Sequence, residues 1–435
     1  MTRILVAGAG PVGLTAALAL ARRGFSVTVL EAGGELAAES RASTFHPPTL
    51  EMLDDLGVGA ELRARGLVSP TFAYRDRRAG LVAMLDLAVL AGDTRYPYRV
   101  QCEQSKLTPI LLDRLLRHDG CEVRFHWPVT DVLQNADVSS ASADGQQPAS
   151  VSALSADGQQ PASVSAASAD ERQPASVSAL SADGQQLAAV TAVSADGRQV
   201  TGDWLIGADG AHSAVRRASG VTFDGITYPE RFLVASVDED LTAWLDDLAA
   251  VNYVFDPVEW CVLLRTPDHW RVLLPTPADT PDADEYARLD TRLRDVHDPG
   301  RPWRIAHASM YRVHQRVATS FRTGRILLAG DAAHVNNPLG GLGMNSGIHD
   351  AVAYAAALAT GDDATIWAAA ADRRRIALEY VQSVSHQNYE RLRATDPDAR
   401  AAHLDSLRAI AADPAKARES LLRSSMIASL RPVPA

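Results

Sequence analysis

Three short apolar runs in this sequence each end in a glycine-containing turn. The runs lie at residues 3–7, 204–206 and 325–329. Short continuous apolar runs bounded by turn residues are typical of buried strands. After the first and third turns, Ala-rich patterns predict helices over residues 14–23 and 344–358. The alternation of strand and helix predicts an α/β fold.

A second group of strand-like runs lies between the second and third turns. The runs are residues 232–237, 251–255, 260–264 and 270–274. Turn-forming pairs such as Asp256-Pro257 and Pro267-Asp268 separate them, so we expect a β-sheet here. Residues 70–100 contain further strand-like segments. The chain from Asp372 to Leu430 is predicted to be helical, with interruptions at Pro397 and Pro414.

These patterns divide the chain into interleaved units. We predict a Rossmann-like nucleotide-binding domain in three parts, an inserted β-sheet domain in two parts and a C-terminal helical region, which makes the fold class α/β (α+β). The first domain comprises residues 1–70, 101–220 and 319–360, the sheet domain 71–100 and 221–318, and the helical region 361–435.

The N-terminal turn carries a dinucleotide-binding fingerprint. Gly8, Gly10 and Gly13 stand between the first strand and its helix, and Glu31 ends the next strand eighteen residues after Gly13. The first glycine permits the turn, the second lets a pyrophosphate approach the backbone, and the third lets helix and strand pack. The acid can accept ribose hydroxyls. A glycine-rich turn of another α/β protein is the alternative.

The third turn combines a carboxylate with a backbone that carries few side chains. Gly330-Asp331 ends the strand, and the turn before the helix contains Pro338, Gly340, Gly341 and Gly343. Unpaired N–H groups at a positive helix end suit developing negative charge. The alternative is a tight strand-to-helix connection in which the glycines satisfy local geometry alone.

The middle turn, Ala208-Asp209-Gly210, completes a pattern. With the glycine fingerprint before it and Gly-Asp-Ala-Ala-His after it, at residues 330–334, the chain resembles the single-component FAD-dependent aromatic hydroxylases typified by para-hydroxybenzoate hydroxylase. The three motifs span residues 4–358. The resemblance implies that the nucleotide-binding domain holds FAD and that the inserted sheet holds the substrate.

The resemblance also assigns residues to the cofactor. The N-terminal motif would hold the ADP half of FAD, Asp331 its ribityl side, and the turn 338–345 the pyrimidine edge of the ring, where backbone amides stabilise the anionic reduced flavin. Arg41 and Gln101 would reach the phosphates or the ribityl chain, unless they are a surface arginine and a polar strand-end residue. The implied FAD-binding residues are Gly8, Ala9, Gly10, Pro11, Val12, Gly13, Glu31, Arg41, Gln101, Asp209, Gly330, Asp331, Pro338, Gly341, Leu342, Gly343, Met344 and Asn345.

Two further roles follow from the same resemblance. The middle motif is associated with the nicotinamide donor as well as FAD, which makes His212 and Arg216 candidates to contact NADH or NADPH. No second glycine fingerprint appears, so the donor would bind transiently. His46 lies on the stretch that passes under the cofactor in the family and is the candidate catalytic residue, as a proton relay near neutral pH. A histidine that caps the helix or faces solvent is the alternative.

Composition narrows the class of protein. The 42 Lys and Arg residues against 53 Asp and Glu residues give a net charge of −11, which argues against nucleic-acid or anionic-membrane binding. The three cysteines, Cys102, Cys121 and Cys261, have neither metal-site spacing nor an even number for disulfides, which favours a reducing cytoplasm. No run has the length of a membrane span, and the first residues form a strand and not a leader. We expect a cytoplasmic enzyme with no metal, whose C-terminal helices cover the sheet or contact a second copy in a homodimer.

A thirteen-residue repeat is inserted at residues 142–199, with copies starting at Ser142, Ser155, Ser168 and Ser181 and a partial copy from Ser194. It predicts an exposed β-meander, a disordered Ser/Ala/Gln loop or a partner-binding segment. We favour a functionally neutral surface hairpin. Its last part is predicted to form a hairpin with Asp196-Gly197 at the turn.

The resemblance implies an FAD-dependent, NAD(P)H-consuming monooxygenase that hydroxylates an aromatic or similarly electron-rich small molecule with O₂, through a flavin C4a-hydroperoxide. Aromatic and polar residues of the sheet would line the substrate pocket, unless they belong to the core; the candidates are Tyr253, Trp260, Arg265 and Trp270. One alternative is a flavin-dependent halogenase or reductase of the same superfamily, although the stretch 269–275 does not match the halogenase Trp-x-Trp-x-Ile-Pro segment. The other is a non-catalytic flavin-binding or scaffold protein.

Overall fold

The computed structural model describes residues 2–38, 42–136 and 187–431, so Arg41 and most of the repeat lie outside the described residues. The strands of the described part are, in chain order, β1 (Arg3–Ala7), β2 (Ser26–Leu30), β3 (Thr44–Phe45), β4 (Leu67–Ser69), β5 (Thr71–Asp76), β6 (Gly80–Asp86), β7 (Arg99–Gln101), β8 (Cys121–Arg124), β9 (Val129–Ala136), β10 (Leu187–Ser194), β11 (Gln199–Gly202), β12 (Trp204–Gly207), β13 (Phe223–Val237), β14 (Val251–Phe255), β15 (Cys261–Arg265), β16 (Trp270–Pro277), β17 (Ile305–Ala318), β18 (Arg322–Thr323), β19 (Ile326–Leu328) and β20 (His334–Val335).

The α-helices of the same residues are α1 (Pro11–Ala21), α2 (Pro47–Asp55), α3 (Gly59–Arg65), α4 (Gln104–Leu115), α5 (Ala214–Ala218), α6 (Asp282–Val296), α7 (Gly343–Thr360), α8 (Asp363–Ile376), α9 (Ser383–Arg393), α10 (Pro397–Ala412) and α11 (Pro414–Ser424). A π-helical segment, Ala377–Gln382, joins α8 to α9. The predicted breaks at Pro397 and Pro414 are confirmed, because each proline occupies the first turn of a helix that Asp396 or Asp413 caps.

The N-terminal strand is at the centre of a six-stranded sheet with the order β18-β19-β12-β1-β2-β8. Every pair of neighbouring strands in this sheet is parallel except the pair of β18 and β19, which is antiparallel. In the register, Ala7 pairs with Gly207 and Gly207 pairs with Leu328. The ends of β1, β12 and β19 are therefore level, and the three turns that follow them leave the sheet at the same edge. The predicted α/β fold class is confirmed.

A second sheet has eight strands in the order β20-β17-β13-β16-β15-β14-β5-β6. Its pairs are antiparallel except for β14 and β5. Strands from residues 71–86 and from residues 223–277 thus belong to one sheet. The domain boundaries themselves stay a prediction.

This sheet lies between two layers of helices. Tyr253 and Phe255 of β14 pack with C-terminal residues such as Leu404 and Leu421. Val254, between them in sequence, belongs to the core on the opposite face, with Trp270, Leu289 and Leu293. Because successive side chains of a strand point to opposite faces, the register of β14 decides which residues face the C-terminal helices. The expectation that these helices cover the sheet is confirmed.

Strand β13 is longer than the sequence pattern predicted. The apolar run predicted β13 from residue 232, but the strand begins at Phe223 and its first half pairs with β17 alone. Exposed residues such as Ile226 lie in this half, so it lacks a continuous apolar run. The hairpin at the end of the repeat is confirmed, because β10 and β11 pair around Asp196-Gly197 and Gly197 has φ +82°.

The fold makes a prediction at Gly13. A Cβ built on Gly13 would lie 2.0 Å from the Gly8 carbonyl oxygen, whereas one on Gly92 meets nothing within 4 Å. Gly13→Ala is expected to lower the free energy of unfolding by about 1–3 kcal/mol, because β1 and α1 must move apart. Gly92→Ala is the control and should change it by less than about 0.5 kcal/mol. Urea unfolding measures both, and equal stability of the two variants would contradict the packing role.

Candidate active site

The three glycine-containing turns are in direct contact. A Cβ built on Gly8 would lie 2.5 Å from the Ala208 carbonyl oxygen, and one on Gly330 would lie 2.9 Å from Cγ2 of Val12. Separations this short leave no space for a side chain, so the close approach requires glycine at both positions. The predicted convergence of the turns on one region is confirmed.

The N-terminal turn is open where a phosphate group is expected. A Cβ built on Gly10 would meet nothing within 4 Å, and Gly10 directly precedes α1, which begins at Pro11 and has no acidic residue in its first turn. Unpaired N–H groups at the positive end of a helix attract phosphate. Of the other residues predicted here, Ala9 is buried and Val12 half-buried.

Glu31 faces the same turn from the end of β2. Its Oε2 accepts a hydrogen bond from the Ala9 N–H at 2.7 Å, and its Oε1 accepts one from the Gly33 N–H at 2.8 Å. Each carboxylate oxygen has two acceptor positions, so each retains one for a further donor. The position of Glu31 therefore fits the predicted contact with a ribose.

Asp209 is bound within its own turn. Its Oδ2 accepts hydrogen bonds from the N–H groups of Ala214 at 2.7 Å and Val215 at 3.1 Å, and its Oδ1 accepts one from the Ser213 hydroxyl at 2.5 Å. The carboxylate thus holds the start of α5 against the end of β12. This is a capping role, and the direct FAD contact assigned to Asp209 stays a prediction.

The two candidate residues for the nicotinamide donor differ in exposure. His212 is exposed, but Arg216 is buried and donates to the carbonyl oxygens of Ala332 at 2.8 Å and Ala211 at 2.9 Å. The Arg216 guanidinium also lies 3.8 Å from the ring centre of Phe223. It joins the middle motif to the late motif, which is a structural role. The contact of either residue with the nicotinamide donor stays a prediction, and exposed His212 is the more accessible of the two.

A buried charge network lies beneath Gly330-Asp331. The Asp350 carboxylate accepts hydrogen bonds from Nε of Arg373 at 2.7 Å, Nε2 of His334 at 2.8 Å and the Gly330 N–H at 3.0 Å. Burial raises the pKa of Asp350, but Arg373 and His334 outweigh it and bring the pKa to about 2. The network holds the backbone of the turn, while the Asp331 side chain is exposed at its surface.

The turn before α7 is attached to the chain around His46. Gly340 and Gly341 have φ +107° and +67°. The Asn345 side chain donates to the carbonyl oxygens of Thr44 at 2.8 Å and Gly341 at 2.6 Å, and it accepts from the His46 N–H at 2.9 Å. Asn345 thus fixes the first turn of the helix. Of the other predicted residues here, Pro338 and Gly343 are half-buried, and Leu342 and Met344 are buried.

His46 is fully buried, and its Nε2 lies 2.8 Å from the Gly340 carbonyl oxygen. Burial, followed by the charge of Arg99, holds the pKa of His46 well below its usual value. The ring is therefore neutral, and its Nε2–H donates to Gly340. This low pKa does not favour the predicted proton relay near neutral pH. The alternative is wrong, because the side chain neither caps α2 nor faces solvent. What His46 does is support the turn.

Gln101 carries a buried donor that no described residue satisfies. Its Oε1 accepts from the Thr44 hydroxyl at 2.8 Å, but its Nε2 has no hydrogen-bond partner among the described residues. A buried unpaired donor is costly. A cofactor oxygen would satisfy it, so Gln101 fits the predicted contact with FAD. Arg41 lies outside the described residues, and its contact with FAD stays a prediction.

A recess lies between the eight-stranded sheet and the C-terminal helices. It is lined by Tyr74, Tyr253, Phe255, Asn388, Arg391, Leu392 and His403. Of the four substrate-pocket candidates on the sheet, Tyr253 alone lines it. Trp260 packs against Phe232, whereas Trp270 is buried on the opposite face of the sheet and Arg265 lies over its ring.

Sequence reasoning missed most of this lining. Asn388 and Arg391 lie on α9, which follows the FAD motifs in the chain and carries no motif of its own. Asn388 contacts the turn before α7, because its Nδ2 donates to the Leu339 carbonyl oxygen at 3.4 Å. Tyr74 could have been predicted as a lining residue, because it is an aromatic residue in the first strand-like segment of the sheet domain. The recess is thus adjacent to the turn that starts α7.

Comparison with known proteins agrees with this geometry. The sequence matches the family described as FAD binding domain over residues 1–158 and 161–384. The chain belongs to this FAD-binding family. It is 32% identical over 408 residues to a para-nitrophenol 4-monooxygenase of Pseudomonas sp. (strain WBC-3), covering 91% of this chain and 88% of the relative. It is 31% identical over 359 residues to a 6-hydroxy-3-succinoylpyridine 3-monooxygenase of Pseudomonas putida (strain DSM 28022 / S16), covering 82% and 79%.

Solved structures show the same likeness. The crystal structure of a p-nitrophenol 4-monooxygenase from Pseudomonas putida DLL-E4 superposes with a TM-score of 0.82 at 29% identity, covering 99% of this chain and 100% of that one. An anhydrotetracycline hydroxylase from Streptomyces rimosus, at 23% identity and a TM-score of 0.72, shares the fold over 100% of this chain and 78% of that one. The predicted FAD-dependent monooxygenase is confirmed, and the named relatives include no halogenase.

The described residues contain neither a metal-binding cluster nor a membrane-spanning helix. No cluster of three or more His, Cys, Asp and Glu side chains there is arranged to hold a metal ion. No helix within residues 2–38, 42–136 and 187–431 has the length and apolar character needed to cross a membrane.

The buried network makes a prediction at Asp350. Asp350→Asn keeps the size of the side chain but removes the charge, so Arg373 is left buried without its partner and the free energy of unfolding should fall by about 3–5 kcal/mol. Because the pKa of Asp350 is lowered from 3.8 to about 2, its contribution is complete above the unfolded-state pKa and is lost as pH falls towards 2.

Urea unfolding of both proteins across this pH range measures the effect, and the difference between wild type and Asp350→Asn should shrink as pH falls. Asp372→Asn is the control, because Asp372 forms an exposed ion pair with Arg375, which is worth at most about 1 kcal/mol. A pH-independent difference would show that the charge of Asp350 is not what stabilises the turn.

Proposed function

We propose that this FAD-dependent monooxygenase hydroxylates a small phenol-like or heteroaromatic ring, with O₂ and NADH or NADPH as co-substrates. The observation that carries the proposal is the position of Tyr253. It lines the recess, and the Gly340 backbone opposes the rise in the pKa of its phenol that burial causes. A ring in the recess would thus lie next to the turn that is expected to hold the flavin. The relatives named above act on nitrophenol and on a substituted hydroxypyridine.

FAD fits the residues along the edge of the six-stranded sheet. Gly10 and the start of α1 offer an open N-terminus for the pyrophosphate, and Glu31 has acceptor positions for the ribose. Asp331 and the unpaired amide of Gln101 suit the ribityl chain. When bound, FAD supplies acceptance of hydride and activation of O₂ for transfer to the ring.

The protein's own contribution is electrostatic and positional. α7 has 18 residues and begins at Gly343, so its positive end lies at the turn formed by Gly340 and Gly341. Backbone N–H groups fixed there would stabilise negative charge on a flavin edge without reorganising. Asn345 and His46 hold these groups in place. We propose His46 as a positioning residue of this turn.

Several further properties belong to the proposal. The nicotinamide donor would bind transiently, with His212 as a candidate contact. Cys102 and Cys261 are buried free thiols, which supports a reducing cytoplasm as the location. A homodimer is also proposed.

A prediction tests the cofactor site at Asp331. Asp331→Ala should purify with most of its flavin lost, because an exposed carboxylate at the turn would no longer bind the ribityl hydroxyls. The visible flavin spectrum, scaled to protein concentration, measures this. Asp398→Ala is the control, since Asp398 is exposed in the first turn of α10 and belongs to none of the three turns. An undiminished spectrum of Asp331→Ala would overturn its assignment.

A second prediction tests the reaction itself. Phenols and hydroxypyridines should stimulate NADH or NADPH consumption by the flavin-loaded enzyme at least about tenfold, with one atom of labelled O₂ in the product. Omitting halide should make no difference, which separates the reaction from halogenation. Unstimulated consumption, or consumption that releases hydrogen peroxide alone with every compound, would contradict the proposed function. A non-catalytic scaffold would consume neither nicotinamide.

A further inference from the structure

A β-turn formed by residues 338–341 lies shortly before α7. The Gly341 N–H donates to the Pro338 carbonyl oxygen at 3.0 Å, which closes the turn. Gly340, at its third position, has φ +107°. Turns of types I and II differ in the orientation of the central peptide, which here joins residue 339 to Gly340. This orientation decides where the Gly340 N–H points, so a fixed amide donor requires a fixed central peptide.

Two amide side chains hold the turn through Leu339. The Leu339 N–H donates to Oδ1 of Asn337 at 3.1 Å, and the Leu339 carbonyl oxygen accepts from Nδ2 of Asn388 at 3.4 Å. Leu339 and Asn337 are both buried. The carbonyl group belongs to the central peptide and the N–H to the peptide before it. The two hydrogen bonds therefore fix the backbone on both sides of this residue.

Asn337 is itself held by Tyr228 of β13. Nδ2 of Asn337 donates to the Tyr228 hydroxyl oxygen at 3.1 Å. The Tyr228 hydroxyl donates to Oε1 of Gln315 in β17 at 2.6 Å, and it lies 3.0 Å from Nδ1 of His386 in α9. Nε2 of Gln315 donates to the carbonyl oxygen of Gln382, in the π-helical segment, at 3.4 Å. A chain of hydrogen bonds thus connects the turn to the eight-stranded sheet and the C-terminal helices.

The direction of this chain is determined by its donors. The Gln315 amide nitrogen donates to Gln382, so the Gln315 amide oxygen faces Tyr228 and takes the single hydroxyl proton. Burial raises the pKa of the Tyr228 phenol, so this proton is present near neutral pH. The hydroxyl oxygen accepts from Asn337, which directs the Asn337 amide oxygen to the Leu339 N–H. Loss of the hydroxyl would leave the buried Asn337 amide without the acceptor that orients it.

We infer that Tyr228 is a positioning residue of this turn, and that its hydroxyl sets, through Asn337, how well the turn stabilises a reduced flavin. The inference rests on the proposed function, which takes the flavin edge to lie at the start of α7. It adds a contact from the eight-stranded sheet to those that His46 and Asn345 make with the same turn. The opposing explanation is that Tyr228 merely joins β13 to α9 through His386.

The equilibrium between oxidised and reduced flavin separates the two explanations. Flavin-loaded enzyme is equilibrated without oxygen with a partly reduced redox dye, and absorbance gives the ratio of reduced to oxidised flavin. Tyr228→Phe keeps the ring and removes the hydroxyl alone. It should lower this ratio at least about threefold at the same dye potential, because a turn that is not fixed stabilises the anionic reduced flavin less. A ratio equal to that of the wild type would overturn the inference.

Tyr389→Phe is the matched control. Tyr389 of α9 is buried, its ring centre lies 4.5 Å from that of Tyr228, and its hydroxyl donates to Glu230 of β13. This hydrogen bond joins the same two elements and does not involve the turn. Tyr389→Phe should therefore leave the flavin ratio unchanged. An equal fall in both variants would support the opposing explanation, in which the connection of β13 to α9 is what matters.

A second variant keeps the test decisive if Tyr228→Phe gives no folded flavoprotein. Asn337→Ala removes the same link from the side of the turn, and it should lower the ratio at least as far. Where both variants fold, Tyr228→Phe in the Asn337→Ala background should have no further effect, because the hydroxyl acts through Asn337. An unchanged ratio in Asn337→Ala, or a full additional fall in the double variant, would contradict the inference.

Failure of the proposed function gives a different result. The dye equilibrium needs neither an aromatic substrate nor a nicotinamide, so it does not depend on hydroxylation. Asn345→Ala tests the position of the flavin, and it should lower the ratio or release the flavin, because Asn345 holds the same turn. If Asn345→Ala keeps its flavin at the wild-type ratio, the flavin edge does not lie at this turn and the inference is wrong with it. Absence of stimulated nicotinamide consumption with every phenol would contradict hydroxylation alone.

Discussion

The structure depends on close backbone contact between three turns at one edge of a parallel sheet. The register of β1, β12 and β19 brings their ends level, and glycines at positions 8, 13 and 330 remove the side chains that would separate them. A dinucleotide-type cofactor binds at the carboxyl ends of such strands. Since one register controls all three turns, a local change in packing is transmitted to the whole cofactor edge. This explains why motifs spread over most of the chain belong to a single site.

Much of the fold was predictable because its signals are local. Continuous apolar runs indicated the buried strands of the first sheet, and Pro397 and Pro414 marked helix starts. The first half of β13 was missed because it pairs on one side only and is largely exposed, so its residues need not be apolar. The π-helical segment was missed as well, since its residues are compatible with an ordinary helix. Local sequence patterns thus identify strands and helices whose side chains are buried. They fail where backbone pairing with one neighbouring strand is what holds an exposed strand in place.

The site was predictable in its motifs but not in the directions of its side chains. The sequence placed Arg216 correctly in the middle motif, yet its guanidinium turns inward to Ala332, 116 residues away in the chain. Tyr253 was one of four equivalent candidates, and only the register of β14 decides that it faces the recess. The burial of Arg99 was not predictable, because β7 is three residues long and carries no motif. Contacts at such sequence separations are set by tertiary packing, which a single sequence does not display.

The turn at Gly340 connects the two halves of the site. Its carbonyl oxygen accepts from His46, and its backbone opposes the burial-driven rise in the pKa of Tyr253, which lines the recess. A neutral His46 is the form that can donate here without adding a second charge beside Arg99, so its low pKa serves the geometry of the turn. The positive end of α7, which begins at Gly343, lies next to this turn. A flavin edge held at this turn would therefore have the positive end of α7 as compensation for its negative charge, without reorganisation of the backbone.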